Sequence, residues 1–587
     1  MKKEKKVKQK SELDLFLAKY DLRGFTKSFN KLVREYPNYW KKLIMENPYD
    51  IMELNRVGFK NADKIAMKLG VPKDDKRRII AFVEDAIIKT SYGSTILPIS
   101  SVSSTIIEDL EITDFKKVIT ALYSSESSKF MILNKDYKET KNKSLARFIT
   151  KKEWYETEKY TYNLFRRASR LPALEVEDSI YEKVLLELPY ELNDKQLEAV
   201  TSFSNYGVNV ITGVAGGGKT TVVKTILRVL QEKGQSYTCL APTGIASKVF
   251  MESTNVGCST IHSKAYNTHS EDDYIKTDYL FLEEFSMYSC EHMRLISKTM
   301  KHNQNIKIIV IGDLNQLLPI SAGCIFRDMM RIMRANKIKA NIIYLDKIMR
   351  ASDETFIPYI CNSLINESYK DSWEHEKHEK VYFSKLDEDN FSNQVTSLLK
   401  DNKLNFENTL ILIPQNKGDI GTSVINNRLQ ELNRRPFKYV FKSKKGKILK
   451  RYKEGDVLIH IKNNYPLNIF NGERLKFIGP SEEEEGHYLA VKIDGGDIIS
   501  YSEEELFNET KLSYALSVHK TQGITVDNVI FVASKKHSYM LNRNLVYTGL
   551  SRASKELYIL CEDSMLKKSM YKKEINKRKT FLGEITK

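Results

Sequence analysis

The chain has 587 residues, which is more than one hydrophobic core accommodates and corresponds to about three or four domains. Its 41% hydrophobic and 29% charged residues are typical of a globular protein in water, and no stretch approaches the run of about twenty apolar residues that crosses a bilayer, so we expect no membrane partner. The 93 Lys plus Arg residues exceed the 76 Asp plus Glu residues and give a net charge of +17. This charge favours a polyanionic partner, although a Lys-rich composition that merely keeps a protein soluble fits it equally well.

Two further features indicate a location inside the cell. Six of the first ten residues are lysines, but no apolar segment follows them, so they do not form a secretory signal. The six cysteines lie far apart and form no CxxC pair, which argues against a zinc site or a disulfide framework. Both features predict a protein of the reducing cytoplasm.

Residues 1–185 are predicted to form a helical, basic region. The stretch 47–70, "NPYDIMELNRVGFKNADKIAMKLG", reads as a helix, a short hairpin that turns at Gly58, and a second helix with Ala62, Ile65 and Leu69 on one face. Such a helix-hairpin-helix places the backbone amides near Gly58 against a DNA phosphate, where the dipole of the second helix helps. The alternative is an ordinary helical hairpin that turns at a glycine.

From about residue 186, short apolar strands alternate with amphipathic helices, which predicts parallel α/β layers. The strands of a first layer are "GVNVIT", "YTCLAPT", "YLFLEE" and "IKIIVIGD", and those of a second include "TLILIPQNKG" and "DNVIFVAS". Between about 466 and 512 lie Gly-punctuated β segments and an acidic turn, "SEEEE". This stretch is predicted to form a small β-barrel inserted into the second α/β domain.

The segment "GVAGGGKT" lies between a predicted strand and a predicted helix, which is the context of a P-loop. Glycines let the backbone wrap phosphates, Lys219 reaches the β- and γ-phosphates, and the Thr220 hydroxyl binds Mg²⁺. We therefore predict a nucleotide site. Its loop residues are Gly213, Val214, Ala215, Gly216, Gly217, Gly218, Lys219 and Thr220.

A P-loop alone does not distinguish a motor from a kinase or a GTPase, but other motifs accompany it. "LNDKQLEAV" offers Gln196, whose amide can both donate to and accept from an adenine edge. "LFLEEFSM" ends a predicted buried strand in Glu283 and Glu284, the position for a metal ligand and a water-activating base. The remaining motifs are "APTGIASK" from Ala241, "STIHS" from Ser259, "GDLNQLLPI" with Asp313 and Gln316, "YLDKIMR" with Arg350, "YALSVHKTQGITVDNV" with Gln522 and Gly523, and "NLVYTGLSRAS" with Arg552.

In order and in character these motifs resemble those of the RecD-like helicases in the 5′→3′ branch of superfamily 1. "ILIPQNKGDIGTSVINNRLQ" resembles the entry to that group's second motor domain, and "GDVLIHIKNNYPLNIFNGE" the entry to its SH3-like insertion; longer members also carry helix-hairpin-helix modules. The resemblance implies an α/β fold with two RecA-like P-loop motor domains, an N-terminal all-helical domain and a small SH3-like β-barrel insertion. It places the motor domains at 186–350 and 351–587, the insertion at about 466–512, and a duplex-splitting pin at about 262–278, for which a surface loop is the alternative.

The resemblance also implies roles for single residues. Lys219, Thr220 and Thr221 would hold the phosphates of ATP, with Thr220 and Glu283 toward Mg²⁺, and Glu284 would activate the attacking water. Gln316 would sense the γ-phosphate with Gln522 and Gly523 nearby, and Arg350 and Arg552 would act as arginine fingers unless they are plain surface charges. The implied DNA contacts are Gly58, Pro242, Thr243, His262, Asn464, His519 and Lys520; for both histidines a place in the core is the alternative.

The implied activity is an ATP-dependent helicase that translocates 5′→3′ on single-stranded DNA and unwinds duplexes at single-strand/duplex junctions. Replication, recombination and repair are its processes, and their proteins are its potential partners. The alternatives are a translocase or remodeller without intrinsic unwinding and a DNA-binding scaffold with a decayed ATP site.

The sequence departs from the usual pattern of this group at four positions. Glu283 replaces Asp, Ile245 replaces Lys, Leu318 replaces Pro and Ala351 replaces Gln. These departures indicate a divergent member, such as one from a phage or another mobile element. The retention of Lys219, Glu284, Gln316 and Arg552 argues against a decayed site.

Overall fold

The computed structural model describes residues 12–53, 57–110, 115–123, 129–214, 216–300, 303, 305–347, 355–443, 446–464, 466–562, 564–573 and 577–584. These residues form two compact units. The first unit takes its residues from Met1–Lys159 and Arg578–Ile585, and the second from Tyr160–Lys577.

The first unit is mainly helical, because apolar residues three and four positions apart give its helices one buried face each. Phe29 and Leu32 are the buried residues of one helix, and they pack in a core with Phe16 and Trp40. A small antiparallel sheet has the strand order Leu97–Pro98, Phe148–Lys151, Phe130–Leu133. The helices are Thr26–Glu35, Trp40–Glu46, Phe59–Lys68, Lys76–Thr90, Ile99–Leu110, Phe115–Leu122 and Phe581–Glu584, and Lys152–Ala168 begins in this unit.

The predicted helix-hairpin-helix lies in this unit, and its second helix begins at the predicted glycine. Gly58 is the N-cap of Phe59–Lys68. The preceding segment, Pro48–Glu53, is a 3₁₀ helix where the sequence predicts an α-helix. Its six residues are too few to gain much from i→i+4 hydrogen bonds, which favours the tighter form. Residues 54–56 lie outside the described part of the chain.

The end of the chain completes the first unit. The backbone N–H groups of Thr95 and Ile96 donate to the carbonyl oxygen of Lys579, at 2.8 and 3.2 Å. The N–H of Leu582 donates to the fully buried Glu158 carboxylate at 3.1 Å. Sequence periodicity gives no sign of this pairing, because it joins segments more than four hundred residues apart.

The second unit contains two parallel sheets. In the first sheet the strand order is Ser259–Thr260, Tyr237–Ala241, Tyr279–Leu282, Lys307–Gly312, Val208–Gly213, Asn341–Leu345. Its central strands are buried along their whole length, as expected of strands covered by helices on both faces. The helices of this region are Asp178–Leu186, Asp194–Ser202, Lys219–Glu232, Gly244–Thr254, Ile261–Tyr266, Cys290–Thr299 and Ile325–Arg334.

The second sheet is also parallel. Its strand order is Val381–Lys385, Ala553–Cys561, Val526–Ala533, Thr409–Ile413, Ala515–Ser517. The helices that accompany it are Ile357–Ile365, Phe391–Asp401, Thr422–Leu432, Arg543–Leu550 and Met565–Met570. The predicted α/β class, with two parallel-sheet motor folds and a helical N-terminal region, is confirmed.

An antiparallel sheet, which we call the insertion sheet, interrupts the second parallel sheet along the chain. Its strand order is Ile498–Ser502, His487–Lys492, Arg474–Pro480, Val457–His460, Thr510–Leu512, with the helix Glu503–Glu509 before the last strand. A separate hairpin, Phe437–Lys442 with Ile448–Lys453, precedes it. The sheet begins before the predicted start at 466, and its SH3-like character stays a prediction, as do the predicted domain bounds.

All six cysteines are buried free thiols. Among the described residues, no helix combines the length and the apolar character that a membrane crossing requires.

Candidate active site

The P-loop follows the central strand Val208–Gly213 and leads into the helix Lys219–Glu232. Gly216 and Gly218 have φ angles of 80° and 79°, which glycine adopts without strain. A Cβ atom at Gly213 would lie 2.1 Å from the carbonyl oxygen of Leu345, so no larger residue fits there. The loop therefore needs its glycines for both its turn and its close approach to the neighbouring strand; Ala215 lies outside the described residues.

Lys219 lies over this loop. Its Nζ donates to the carbonyl oxygens of Gly213 at 3.0 Å and Val214 at 2.9 Å. Thr220 is half-buried in the first turn of the helix, next to the loop amides. The arrangement gives an ammonium group, a hydroxyl group and a positive helix end at one place, which suits a polyphosphate.

Gln196 lies in the helix Asp194–Ser202 and is held by a contact within that helix. It is buried, and its Oε1 accepts from the N–H of Asn193 at 3.1 Å in a capping box. An adenine edge would therefore meet mainly its amide NH₂ group. Thr221 contacts a tyrosine that the sequence did not single out: the Tyr190 hydroxyl lies 3.4 Å from Thr221 Oγ1.

The two predicted acidic residues stand at the carboxyl end of the strand Tyr279–Leu282. Burial, with the negative charge of Glu284 and against the opposing charge of Lys219, raises the pKa of Glu283 to about 8. Glu284 has a φ of 48°, a left-handed conformation that costs a non-glycine residue on the order of 1–3 kcal/mol. Strain and crowded negative charge are typical of a catalytic or metal-binding position.

The loop after the strand Lys307–Gly312 carries Asp313 and Gln316, and both side chains are buried. Gln316 Oε1 accepts no hydrogen bond from the described residues. A buried amide with unused hydrogen-bonding capacity suits a residue that meets a ligand.

The helix Arg543–Leu550 of the second sheet region contacts this loop. The Tyr547 hydroxyl donates to Asp313 Oδ2 at 2.6 Å, and the N–H of Leu317 donates to Thr548 Oγ1 at 3.0 Å. Asn544 Nδ2 donates to the carbonyl oxygens of Asn315 and Gln316, both at 3.0 Å. The sequence did not single out these three helix residues, although their i, i+3, i+4 spacing places them on one face.

The other predicted residues from the second sheet region are close to this contact. Gln522 is buried, and its Nε2 lies 3.5 Å from the carbonyl oxygen of Leu317. Gly523 has a φ of 80°, and a Cβ there would lie 3.7 Å from Ala246 Cβ. Arg552 is buried and donates to the carbonyl oxygens of Thr548 at 2.9 Å and Ile524 at 3.1 Å. Arg350 lies outside the described residues.

The predicted DNA contacts of the first sheet region occupy different settings. Pro242 is buried, and Thr243 caps the helix Gly244–Thr254, since its hydroxyl accepts from the N–H of Ala246 at 3.2 Å. His262 is exposed, with its ring centroid 5.5 Å from that of His292.

The predicted pin, 262–278, is compact within itself. Asp273 accepts from the N–H groups of His269 at 3.0 Å and Ser270 at 2.8 Å, and Lys264 Nζ donates to the Asp273 carbonyl oxygen at 2.7 Å. Tyr266 is exposed at the end of its helix. Its use as a pin stays a prediction.

Asn464, by contrast, has structural contacts in the insertion. Its Nδ2 donates to the carboxylates of Glu509 at 3.0 Å and Glu505 at 3.3 Å. The neighbouring segment reaches the first sheet region, where Lys248 Nζ donates to Glu473 Oε1 at 2.7 Å. Gly472 there approaches Ile245, so the Ile that replaces a usual Lys is part of this contact.

His519 and Lys520 belong to a 3₁₀ helix, Val518–Thr521, beside a groove of about 830 Å³. None of the described residues that line the groove is acidic. Its cations are Lys450, Arg451, Lys511 and Lys520. Burial and the charge of Lys511 lower the pKa of Lys520, and burial with the charges of Lys511 and Lys462 lowers the pKa of Lys450 to about 8. Such a concentration of like charge favours an anionic ligand.

Family models match three parts of the chain. The ATP-dependent RecD2 DNA helicase HHH domain matches residues 6–96, an AAA domain residues 191–362, and the UvrD-like helicase C-terminal domain residues 512–560. The RecD2 DNA helicase of Deinococcus radiodurans is 25% identical over 86% of this chain and 68% of its own length. The RecD subunit of the RecBCD enzyme from Buchnera aphidicola is 24% identical over 64% of this chain and 73% of its own.

The chain is therefore similar to RecD and RecD2 helicases over most of its length. The match at residues 6–96 shows that the predicted helix-hairpin-helix region is similar to a domain known from RecD2, which favours it over an ordinary helical hairpin. An uncharacterized protein of Methanocaldococcus jannaschii is 26% identical over 96% of this chain, which spans 57% of that protein.

A solved structure, Bacteroides Pif1 bound to single-stranded DNA, aligns with 66% of this chain and 95% of its own at 18% identity and a TM-score of 0.45. A score this low does not establish a shared arrangement of domains. The strand orders and the P-loop described above therefore establish the fold.

Proposed function

We propose that this protein is an ATP-dependent DNA helicase that translocates 5′→3′ on single-stranded DNA. The observation that carries the proposal is a contact between the two parallel-sheet regions beside the P-loop. The strand Lys307–Gly312 pairs with the P-loop strand Val208–Gly213, and the loop that follows it, which holds Gln316, is bound by the helix Arg543–Leu550 of the second region. A nucleotide at such a junction changes how the two regions meet when it is hydrolysed, and this is how a motor moves.

In this proposal the P-loop amides and Lys219 bind the phosphates of ATP, and Glu284 accepts a proton from the attacking water. Gln316 detects the γ-phosphate. Arg552 and Arg350 supply positive charge to the transition state. Arg552 must exchange its present carbonyl partners for phosphate oxygens, which requires a movement of the second sheet region.

Mg²⁺ fits the groups at this place. Hard oxygen ligands suit this ion, and the Thr220 hydroxyl and the Glu283 carboxylate would hold it. Burial and, after it, the charge of Glu284 raise the pKa of Glu283, and a bound cation offsets both effects. The ion would supply charge neutralisation to the phosphates.

The DNA strand is assigned to the basic groove beside Lys520 and to the surface near His262, Thr243 and His519. The helix-hairpin-helix region with Gly58 adds a contact to phosphates. Support comes from the groove, whose described lining is cationic and free of acids. Single-strand/duplex junctions in replication, recombination or repair are the proposed substrates.

The test measures ATP hydrolysis with and without single-stranded DNA, then unwinding of forks that carry one tail. We expect DNA to stimulate hydrolysis and a 5′ tail to support unwinding. Unwinding from a 3′ tail alone contradicts the direction. Stimulated hydrolysis without unwinding of either fork identifies a translocase.

A further inference from the structure

The contact between the Gln316 loop and the helix Arg543–Leu550 is buried and polar on both sides. Asp313 and Tyr547 are each 1% exposed, and Thr548 is fully buried. Buried polar groups hold their geometry only while their partners are in place, because an unpaired group would be left without water. The two segments therefore move as one body or break several hydrogen bonds together.

Asp313 is bound from two sides. Its Oδ1 accepts from the N–H of Asn315 at 2.9 Å inside the loop, while its Oδ2 accepts from the Tyr547 hydroxyl at 2.6 Å. One carboxylate thus fixes the loop and ties it to the helix. Hydrogen bonds to a charged group are about twice as strong as neutral ones, so this is the strongest bond of the contact.

Thr548 joins the two groups that the proposed chemistry requires. Its Oγ1 accepts from the N–H of Leu317, the residue after Gln316, at 3.0 Å. Its carbonyl oxygen accepts from Arg552 Nε at 2.9 Å. A displacement of the Gln316 loop therefore moves Thr548, and a displacement of Thr548 moves Arg552.

We propose that Tyr547 and Thr548 are positioning residues that couple the state of Gln316 to the placement of Arg552. This inference rests on the proposed function, since it assigns those two residues to the hydrolysis of ATP. Neither positioning residue contacts the nucleotide. Instead, they keep the Gln316 loop and the Arg552 side chain in a fixed position relative to each other. Their loss is expected to slow the chemical step and to leave nucleotide binding intact.

The main variant is Tyr547→Phe, which removes one hydroxyl and keeps the ring. We expect kcat for DNA-stimulated hydrolysis to fall about tenfold, the scale of one lost hydrogen bond to a charged group, while KM for ATP and the Kd of a fluorescent ATP analogue stay within about twofold. Asp313→Ala combined with Tyr547→Phe should have a kcat no lower than Asp313→Ala alone, because both substitutions remove the Tyr547–Asp313 hydrogen bond.

A matched control exists in the same unit. The Tyr514 hydroxyl donates to Asp456 Oδ1 at 2.7 Å, and both residues are buried, but this bond lies within the second sheet region and its insertion. Tyr514→Phe should leave kcat unchanged. An equal fall in kcat for Tyr514→Phe, or wild-type kcat for Tyr547→Phe, overturns the proposal.

A second pair guards against variants that fail to fold. Thr548→Val removes the acceptor for the Leu317 N–H at nearly constant volume, and Thr548→Ser keeps it. We expect Thr548→Ser to restore kcat relative to Thr548→Val at equal thermal stability; equal kcat for the two contradicts the relay. If wild-type protein itself hydrolyses no ATP, the proposed function fails, whereas active wild type with unaffected variants removes only this inference.

Discussion

Glu283 and Asp456, two acidic residues of the second unit, have different hydrogen-bonding surroundings. Glu283, at the P-loop end of the first sheet, has Glu284 as its neighbour, and its pKa is raised to about 8. Asp456, where the second sheet leads into the insertion sheet, accepts from the Tyr514 hydroxyl, the amides of Gln430 and Asn433, and the N–H of Lys453. Within the described part of the chain no hydrogen bond to the Glu283 carboxylate is observed, whereas four donors bind Asp456.

This difference distinguishes an acid that is suited to bind a ligand from an acid that stabilises the fold. An acid that several donors surround stabilises the fold at its place and has no capacity left for a ligand. An acid crowded by another acid destabilises the fold until a cation or a proton joins it. We therefore expect changes at the P-loop end to alter turnover, and changes in the insertion to alter stability.

The largest effect is expected for Lys219→Ala. In the proposed function the ammonium group contacts the phosphates of ATP and not those of DNA, so hydrolysis should fall below detection while DNA binding is largely retained. Phosphate release and fluorescence anisotropy with labelled single-stranded DNA measure the two properties. Comparable hydrolysis by variant and wild type would remove the motor interpretation altogether.

The next effect concerns the acidic pair. Loss of a general base costs about 10²–10⁴-fold, so Glu284→Gln should bind ATP and DNA but hydrolyse far more slowly at every Mg²⁺ concentration. Glu283→Gln should instead raise the Mg²⁺ concentration needed for half-maximal rate, and Glu283→Asp should keep substantial activity.

A Mg²⁺ titration of the two Gln variants compares these roles directly. Each variant is the other's control, because both replace one carboxyl group at the same strand end by an amide of the same size. Rescue of the 284 variant by excess Mg²⁺, with no rescue of the 283 variant, would mean that the two roles are assigned the wrong way round.

A smaller effect is expected in the insertion sheet. Burial lowers the pKa of His460 to about 4, and its Nδ1 lies 3.1 Å from the Tyr501 hydroxyl. Between about pH 6.5 and 4 the unfolded state binds a proton that the folded state excludes, so stability falls as the pH drops through this window. From pH 7 to 5 the loss is about 2 kcal/mol.

Hydrogen exchange of the backbone amides in the strand Val457–His460 measures this loss of stability locally. His460→Asn should flatten the pH dependence, whereas His269→Asn, at an exposed position, is the matched control. A strand whose protection is equal at pH 7 and 5 in wild-type protein would contradict the assignment of a neutral, buried His460.

Local pattern was sufficient to predict most of the first sheet. The predicted strand "YTCLAPT" is observed as Tyr237–Ala241, and the helix predicted after "GVAGGGKT" is observed as Lys219–Glu232. These elements were readable because apolar periodicity and glycine position act within a few residues. The roles predicted for single site residues stay predictions.

What the sequence did not show depends on contacts between distant segments. Tyr547 meets Asp313 across more than two hundred residues, and Lys579 meets Thr95 across more than four hundred. Neither contact leaves a periodic signal, since a tyrosine in an apolar helix predicts burial but not its partner. The hairpin Phe437–Lys442 with Ile448–Lys453 was also missed: aromatic residues alternate in its first strand, but its second strand, "ILKRYK", has no matching apolar alternation.

The smallest expected effect compares a lysine that is paired with an acidic residue with two lysines that line the basic groove. Lys555 is paired with Asp527 at 2.8 Å, whereas Lys511 and Lys520 line the groove among like charges, with no acidic residue in its described lining. If the groove binds single-stranded DNA, Lys511→Ala with Lys520→Ala should lower affinity about tenfold at moderate salt and reduce the slope of log K against log salt by about 1.4, which is about 0.7 for each lost phosphate contact. Lys555→Ala removes a charge of the same sign and should leave the slope unchanged. Titrations at four salt concentrations determine both slopes. An unchanged slope for the groove variant, or an equal drop for Lys555→Ala, would show that unpaired charge in this groove does not mark the path of the DNA.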